Sequence, residues 1–140
     1  MGQQQLLLLV LGMVIVGIAV VAGIQAFSEG KQKAERDAAI SDAMRLISDI
    51  QAWKLKPSAF GGGANNQGFT GVSLKAIGLD PSNDAGSNSD KYETLNGCFD
   101  VSGDASNATL TIYETDCSTT IATVTITGAS PDSIQWNYSS

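Results

Sequence analysis

The sequence predicts an α+β fold in which a long N-terminal α-helix packs on a small antiparallel β-sheet head. Three observations support this prediction. The first 28 residues carry no charged side chain, a polar and helix-prone stretch follows up to Lys56, and short stretches of alternating polarity lie beyond it. We expect three parts: a hydrophobic helix (residues 1–28), an amphipathic helix that packs on the head (29–56) and a loop-rich β head domain (57–140).

The apolar segment covers residues 6–24 and is 19 residues long, close to the roughly 20 that cross a bilayer as a helix. A cleaved secretory signal is one alternative, but its apolar region is usually shorter and follows basic residues. Here the first basic residue is Lys31, so the positive charge that normally orients a span is missing. Either a short basic leader was removed before Met1, or Met1 is the initiator and the topology signal is weak.

The second half of the helix has one broad apolar face. The residues expected to pack on the head recur at helical spacing: Ala39, Ala43, Leu46, Ile50 and Trp53. Pro57 disfavours helix at the residue before it, and three glycines at 61–63 follow, so the helix should end there. A helix over residues 3–55 would be about 80 Å long, more than twice the thickness of a bilayer core. Half of it must therefore pack on something else, and the head is the most economical partner.

The head contains several strand candidates joined by short connections. They cover residues 91–95, 98–101, 108–115, 121–127 and 134–138. Asn96-Gly97 is a hairpin turn signal between the first two, with a single bulged strand as the alternative. The strands place apolar residues on one face only, which predicts an antiparallel sheet covered by the amphipathic helix.

Two cysteines, Cys98 and Cys117, lie in the head. In an exported domain an isolated pair predicts one disulfide, and two buried reduced thiols are the alternative. We favour the disulfide because the apolar segment implies export. It would close a loop of about 20 residues and stabilise so small a domain by about 3 kcal/mol.

The residue types argue against catalysis, metal binding and cofactor binding. The chain has no histidine, so a serine or cysteine nucleophile would lack its usual base. Acidic and amide residues between 80 and 90 could surround Ca²⁺, but their spacing fits no known loop: Asp80, Asn83, Asp84, Asn88 and Asp90. Residues 57–140 hold two basic and nine acidic side chains, which disfavours direct nucleic-acid binding by the head.

The whole layout resembles the type IV pilins. The shared features are the hydrophobic N-terminus, its amphipathic continuation, a loop region with a short segment at residues 73–79 (SLKAIGL), a small antiparallel sheet and a disulfide near the C-terminal half. In that family a leader peptidase cuts a basic leader ending in glycine, which would explain the missing charge. The resemblance implies that copies of this chain sit in the cytoplasmic membrane, are extracted by an assembly machinery and bundle their apolar helices into an extracellular filament.

Two features depart from the family pattern, and one of them is that the usual proline within the membrane half is missing. Most bacterial members carry a glutamate five residues into the mature chain, whereas this chain has Gln5, which can hydrogen-bond but cannot form an ion pair. If cleavage follows Gly2 instead, that position becomes Leu7. The residues expected to pack in a filament core are Gln5, Leu6, Leu9, Val10, Met13, Val14, Val16, Gly17, Val20, Val21 and Ile24.

Three functions remain open at this point. The leading one is the major subunit of a pilus-like filament. The second is a pseudopilin of a type II secretion or DNA-uptake machine, which would share the fold. The third is a monomeric binding module anchored by a helix that never leaves the membrane.

Overall fold

The computed structural model describes residues 2–80 and 91–139. It confirms the predicted α+β fold, with one long N-terminal helix and a five-stranded antiparallel sheet. The regular elements are helix α1 (Gly2–Leu55), strands β1 (Tyr92–Glu93), β2 (Cys98–Gly103), β3 (Ala108–Tyr113), β4 (Thr120–Ile126) and β5 (Ile134–Tyr138), and two 3-10 turns at Ser58–Phe60 and Pro131–Ser133. The contacts divide the chain into two units, Met1–Ala34 and Glu35–Ser140, and each is described by itself.

Helix α1 ends where the sequence predicts. The Lys56 backbone N–H still bonds to the Ala52 carbonyl at 3.0 Å, and Pro57 then adopts extended backbone (φ −59°, ψ 145°). The chain folds back along the helix immediately afterwards. The Gly63 backbone N–H donates to the Trp53 carbonyl at 2.9 Å, and a Cβ on Gly63 would collide with the Trp53 ring. Glycine at this position therefore allows the backbone to lie directly on the indole.

The five strands form a meander in which each strand pairs with its neighbours in chain order. The pairing register brings the apolar side chains onto one face. One row across the sheet is Phe99, Ile112, Ala122 and Tyr138, and the next is Val101, Leu110, Val124 and Trp136. The opposite face carries mainly hydroxyl and amide side chains from the alternate positions, together with the Asp100 carboxylate.

The second half of α1 covers the apolar face of this sheet. All five residues of the predicted head-packing set are buried, with Ala39, Ala43 and Ile50 at 0% exposure. Ile47 completes the same face at 3%. Polar contacts also fix the helix at its edges. Gln51 Nε2 donates to the carbonyls of Gly128 and Ser130, each at 3.1 Å, and Arg36 pairs with Glu114 at 3.0 Å.

Strand β1 is shorter than the predicted strand over 91–95. Only Tyr92 and Glu93 pair with β2, and the chain leaves the sheet at Thr94. The reason is local: the Thr94 hydroxyl accepts the backbone N–H groups of Asn96 and Gly97, which closes a tight loop. Strands β1 and β2 therefore form the predicted hairpin with a shorter first arm, and the alternative of a single bulged strand is wrong.

Three other strands also differ from the predicted bounds, and β4 is shifted by one residue, to Thr120–Ile126 instead of 121–127. Strand β3 stops at Tyr113, two residues before the predicted end, because the pairing with β4 shifts there by one residue. This shift lets both Ile121 and Ala122 reach the core. Strand β2 continues to Gly103. Of the residues that sequence analysis considered and disfavoured as calcium ligands, those at 83, 84, 88 and 90 lie outside the described residues.

Candidate assembly surface

The strongest candidate for a functional surface is residues 2–34, because nothing described covers it. Every residue from Gly2 to Ala34 is exposed, including all members of the predicted filament-core set. Val14 is 52% exposed and Ile18 is 66% exposed, which is close to what an isolated helix allows. By length and composition, α1 is the one helix among the described residues able to cross a membrane, a test that a signal sequence also passes.

The apolar side chains surround the helix rather than forming a stripe. Large apolar residues occupy every position from Leu6 to Leu11, which is more than a full turn. Five further residues outside the predicted filament-core set are equally exposed: Leu7, Leu8, Leu11, Ile15 and Ile18. A helix that is apolar all round requires an apolar environment on every side. The sequence already contained this all-round apolar pattern. The predicted filament-core set left these five residues out because it followed mainly one helical spacing.

The glycines of this segment lie in regular helix. Gly12, Gly17 and Gly23 all fall within α1, so the structure contains no unwound stretch there. A Cβ at any of them would meet no atom within 4 Å. Gly17 and Ala22 instead line a shallow groove with Ile18 and Val21. Small side chains of this kind allow the backbones of two helices to approach closely.

The disulfide lies at the end of the sheet that is nearest to the beginning of the buried part of α1. Cys98 and Cys117 are bonded across 19 residues of sequence. Lys91 adds a second constraint that sequence reasoning did not find. Its Nζ donates to the Cys117 carbonyl at 2.6 Å and lies 3.7 Å from the centre of the Tyr113 ring. These contacts support Cys117, whose φ of 56° lies in the left-handed region.

Two aspartates stabilise successive hairpin turns by the same device. Asp104 follows β2 and accepts the backbone N–H groups of Ser106 and Asn107 at 2.8 and 2.9 Å. Asp116 follows β3 and accepts those of Ser118 and Thr119, each at 3.0 Å. The sequence signal was a repeated Asp-x-Ser-Asn/Thr, which sequence reasoning overlooked.

These bonds also set the protonation of both aspartates. The backbone N–H of Asn107 is the largest cause that lowers the pKa of Asp104. The backbone N–H of Thr119 has the same role in lowering the pKa of Asp116. Both carboxylates therefore stay ionised at neutral pH and act as turn acceptors.

The described part of the head offers little for ligand chemistry. One group of potential metal ligands comes together, namely Glu93 with Cys98 and Cys117, but both sulfurs are consumed by the disulfide. A surface pocket near the end of α1 is lined by Trp53, Lys56, Lys75 and Asp49. The buried Trp53 Nε1 has no hydrogen-bond partner among the described residues.

Comparisons with protein-family models, with curated proteins and with solved structures find no match to this chain. The functional argument therefore rests on the molecule's own residues. The resemblance to type IV pilins remains a hypothesis based on layout.

Proposed function

We propose that the protein is a structural subunit of an extracellular, type IV pilus-like filament that polymerises through residues 6–24. The observation that carries this proposal is the contrast within one helix. Residues 39–53 bury their apolar face on the chain's own sheet, whereas residues 2–34 bury nothing. A second source of burial must exist outside the chain.

The amount of exposed apolar surface means that something outside the chain must bury this segment. Residues 6–24 expose fourteen large apolar side chains. Burial of each is worth about 1.5–3 kcal/mol, so exposure of the whole set to water would cost about 20 kcal/mol or more. Such a segment must lie in lipid or against other apolar helices. In the proposed cycle it occupies the cytoplasmic membrane first and the filament core afterwards.

The head fits the role of an outer shell. It is compact, disulfide-linked and acidic, and its turns are fastened by Asp104 and Asp116. A disulfide and internally bonded turns favour a head that keeps its shape outside the cell. Gln5 would contribute an amide hydrogen bond in the core where related pilins use an ion pair.

Imaging of sheared material from producing cells tests this proposal. Electron microscopy should show filaments, and mass analysis of the subunit should identify its mature N-terminus. A chain that stays with the membrane after shearing and forms no filaments would contradict the proposal and favour the anchored binding module. Short, scarce filaments that depend on a secretion or uptake machine would favour the pseudopilin.

A further inference from the structure

Strand β5 ends the sheet, and no other described strand pairs with its outer edge. The pairing of β5 with β4 continues one residue beyond each end of β5. The Thr127 backbone N–H donates to the Ser133 carbonyl, and the Ser139 backbone N–H donates to the Ile121 carbonyl, both at 2.9 Å. In an antiparallel pair the bonded positions alternate, so Gln135 and Asn137 also face β4. The backbone groups of Ile134, Trp136 and Tyr138 therefore point away from the sheet.

None of these outward backbone groups has a hydrogen-bond partner among the described residues. Edge strands of this kind are usually protected by charge, proline or a bulge, because a bare edge is a template for another strand. Strand β5 is Ile-Gln-Trp-Asn-Tyr, with no charged residue and no proline. Strand β1, at the opposite edge, is only two residues long and offers far less.

The strand is self-complementary in one particular register. If two copies pair antiparallel about Trp136, each Trp136 faces its equivalent, and each Ile134 faces Tyr138 of the second copy. The outward backbone groups then meet one another and form about six hydrogen bonds. On the other face Gln135 lies opposite Asn137 of the second copy, so amide meets amide and no like charges are opposed.

The side chains favour the same pairing. Trp136 and Tyr138 are stacked with ring centroids 5.8 Å apart, and Tyr138 is 58% exposed. Pairing about Trp136 would join this stack to its equivalent in the second copy and remove aromatic surface from water. Aromatic cross-strand pairs are among the pairs that stabilise sheets.

We propose that β5 pairs antiparallel with β5 of a second copy and thereby joins neighbouring filaments into bundles. The pairing has two-fold symmetry, whereas neighbouring copies within one helical filament are related by a rotation and a shift along the filament axis. The pairing therefore connects two filaments. The inference rests on the proposed filament, because a weak contact between five-residue strands becomes effective only when many copies are aligned.

A charge-swap experiment on the full chain tests this pairing. Gln135 and Asn137 are exposed on the outer face and lie opposite each other across the proposed contact. The double variant Gln135→Lys/Asn137→Lys places lysine opposite lysine at both positions. The variant Gln135→Lys/Asn137→Glu places lysine opposite glutamate instead. Electron microscopy of sheared filaments then measures the fraction that is bundled.

We expect wild-type filaments to bundle, the double-lysine variant to show at least about tenfold fewer bundles, and the lysine–glutamate variant to bundle again. General charge repulsion predicts the reverse for the double-lysine variant, because two added positive charges reduce the net charge of −6. Ser102→Lys/Thr115→Lys is the matched control, since it adds the same charge at exposed sites outside β5 and should not reduce bundling.

Each outcome of this experiment either supports or overturns the β5 pairing. Single wild-type filaments, undiminished bundling of the double-lysine variant, or failure of the lysine–glutamate variant to bundle would overturn the β5 pairing and leave the proposed filament intact. Absence of wild-type filaments would overturn the filament and, with it, the bundling.

Discussion

The two halves of α1 have the same secondary structure and opposite surroundings. In the second half, apolar residues recur at helical spacing and the head buries this face: Ala39, Ala43 and Ile50 are fully buried. In the first half, apolar residues occupy consecutive positions, and none of them is covered. An apolar face on one side of a helix can be buried by the sheet of the same chain. A helix that is apolar all round needs many partner helices or a membrane.

The largest effect should come from a charge in the uncovered half. Val14→Asp would place a carboxylate in an apolar environment at a cost of several kcal/mol per subunit, so filament assembly should be lost. Filament yield after shearing measures this effect. Ser41→Asp, an exposed change in the other half of the helix, is the matched control and should assemble normally. Normal assembly of Val14→Asp would break the comparison.

A substitution in the covered half of α1 should destabilise the folded head rather than prevent filament assembly. Trp53 is 5% exposed against Gly63 and the core, so Trp53→Ala should lower the free energy of unfolding by about 3–5 kcal/mol. Chemical denaturation of a fragment starting at Glu29, which lacks the apolar segment, measures this loss. Leu55→Ala is the control, because Leu55 is 68% exposed and its removal should change little. Equal effects of the two variants would mean that the helix does not cover the sheet.

Reduction of the disulfide should have the next largest effect. Cys98 and Cys117 close a 19-residue separation, and the chain-entropy model gives about 3 kcal/mol for a loop of this size. The same fragment should unfold at lower denaturant concentration with reductant, and its mass should rise by the two hydrogen atoms that reduction adds, about 2 Da. Reductant should have no effect on the Cys98→Ala/Cys117→Ala variant. An unchanged mass would show that the thiols were already free.

The smallest effect concerns pH. Folding lowers the pKa of Asp104 and Asp116 below the ordinary value of 3.8. Stabilisation by a carboxylate with a lowered pKa is present above about pH 4 and is lost as the pH falls towards the folded-state pKa. The melting temperature of wild type should therefore fall between about pH 4 and pH 2 more steeply than that of Asp104→Asn/Asp116→Asn. Parallel curves for the two proteins would contradict this account of the turns.

The sequence was sufficient for features that depend on periodicity. The end of α1 near Pro57, the five strands and the burial of Trp53 all follow from local patterns, and the Cys98–Cys117 bond follows from having one pair. Features that depend on tertiary contact were not predictable. The early end of β1 depends on the Thr94 hydroxyl bonding to its own loop. The contact of Lys91 with the Cys117 carbonyl spans 26 residues of sequence, beyond any local pattern.

The assembly surface likewise combines features that the sequence predicts with features that only the structure shows. The sequence identified residues 6–24 as apolar, and the structure adds that the covered region begins only near Ala39. The free edge of β5 could not be recognised from sequence, because its exposure depends on which strand ends the sheet. Only the order β1 to β5 makes residues 134–138 an edge.

Helical reconstruction of purified filaments tests the central claim most directly. The account predicts a core made of residues 6–24 from many copies, with each head outside it and residues 39–53 still packed on their own sheet. Filaments whose core is built from the heads, or in which residues 6–24 remain exposed to solvent, would contradict the account.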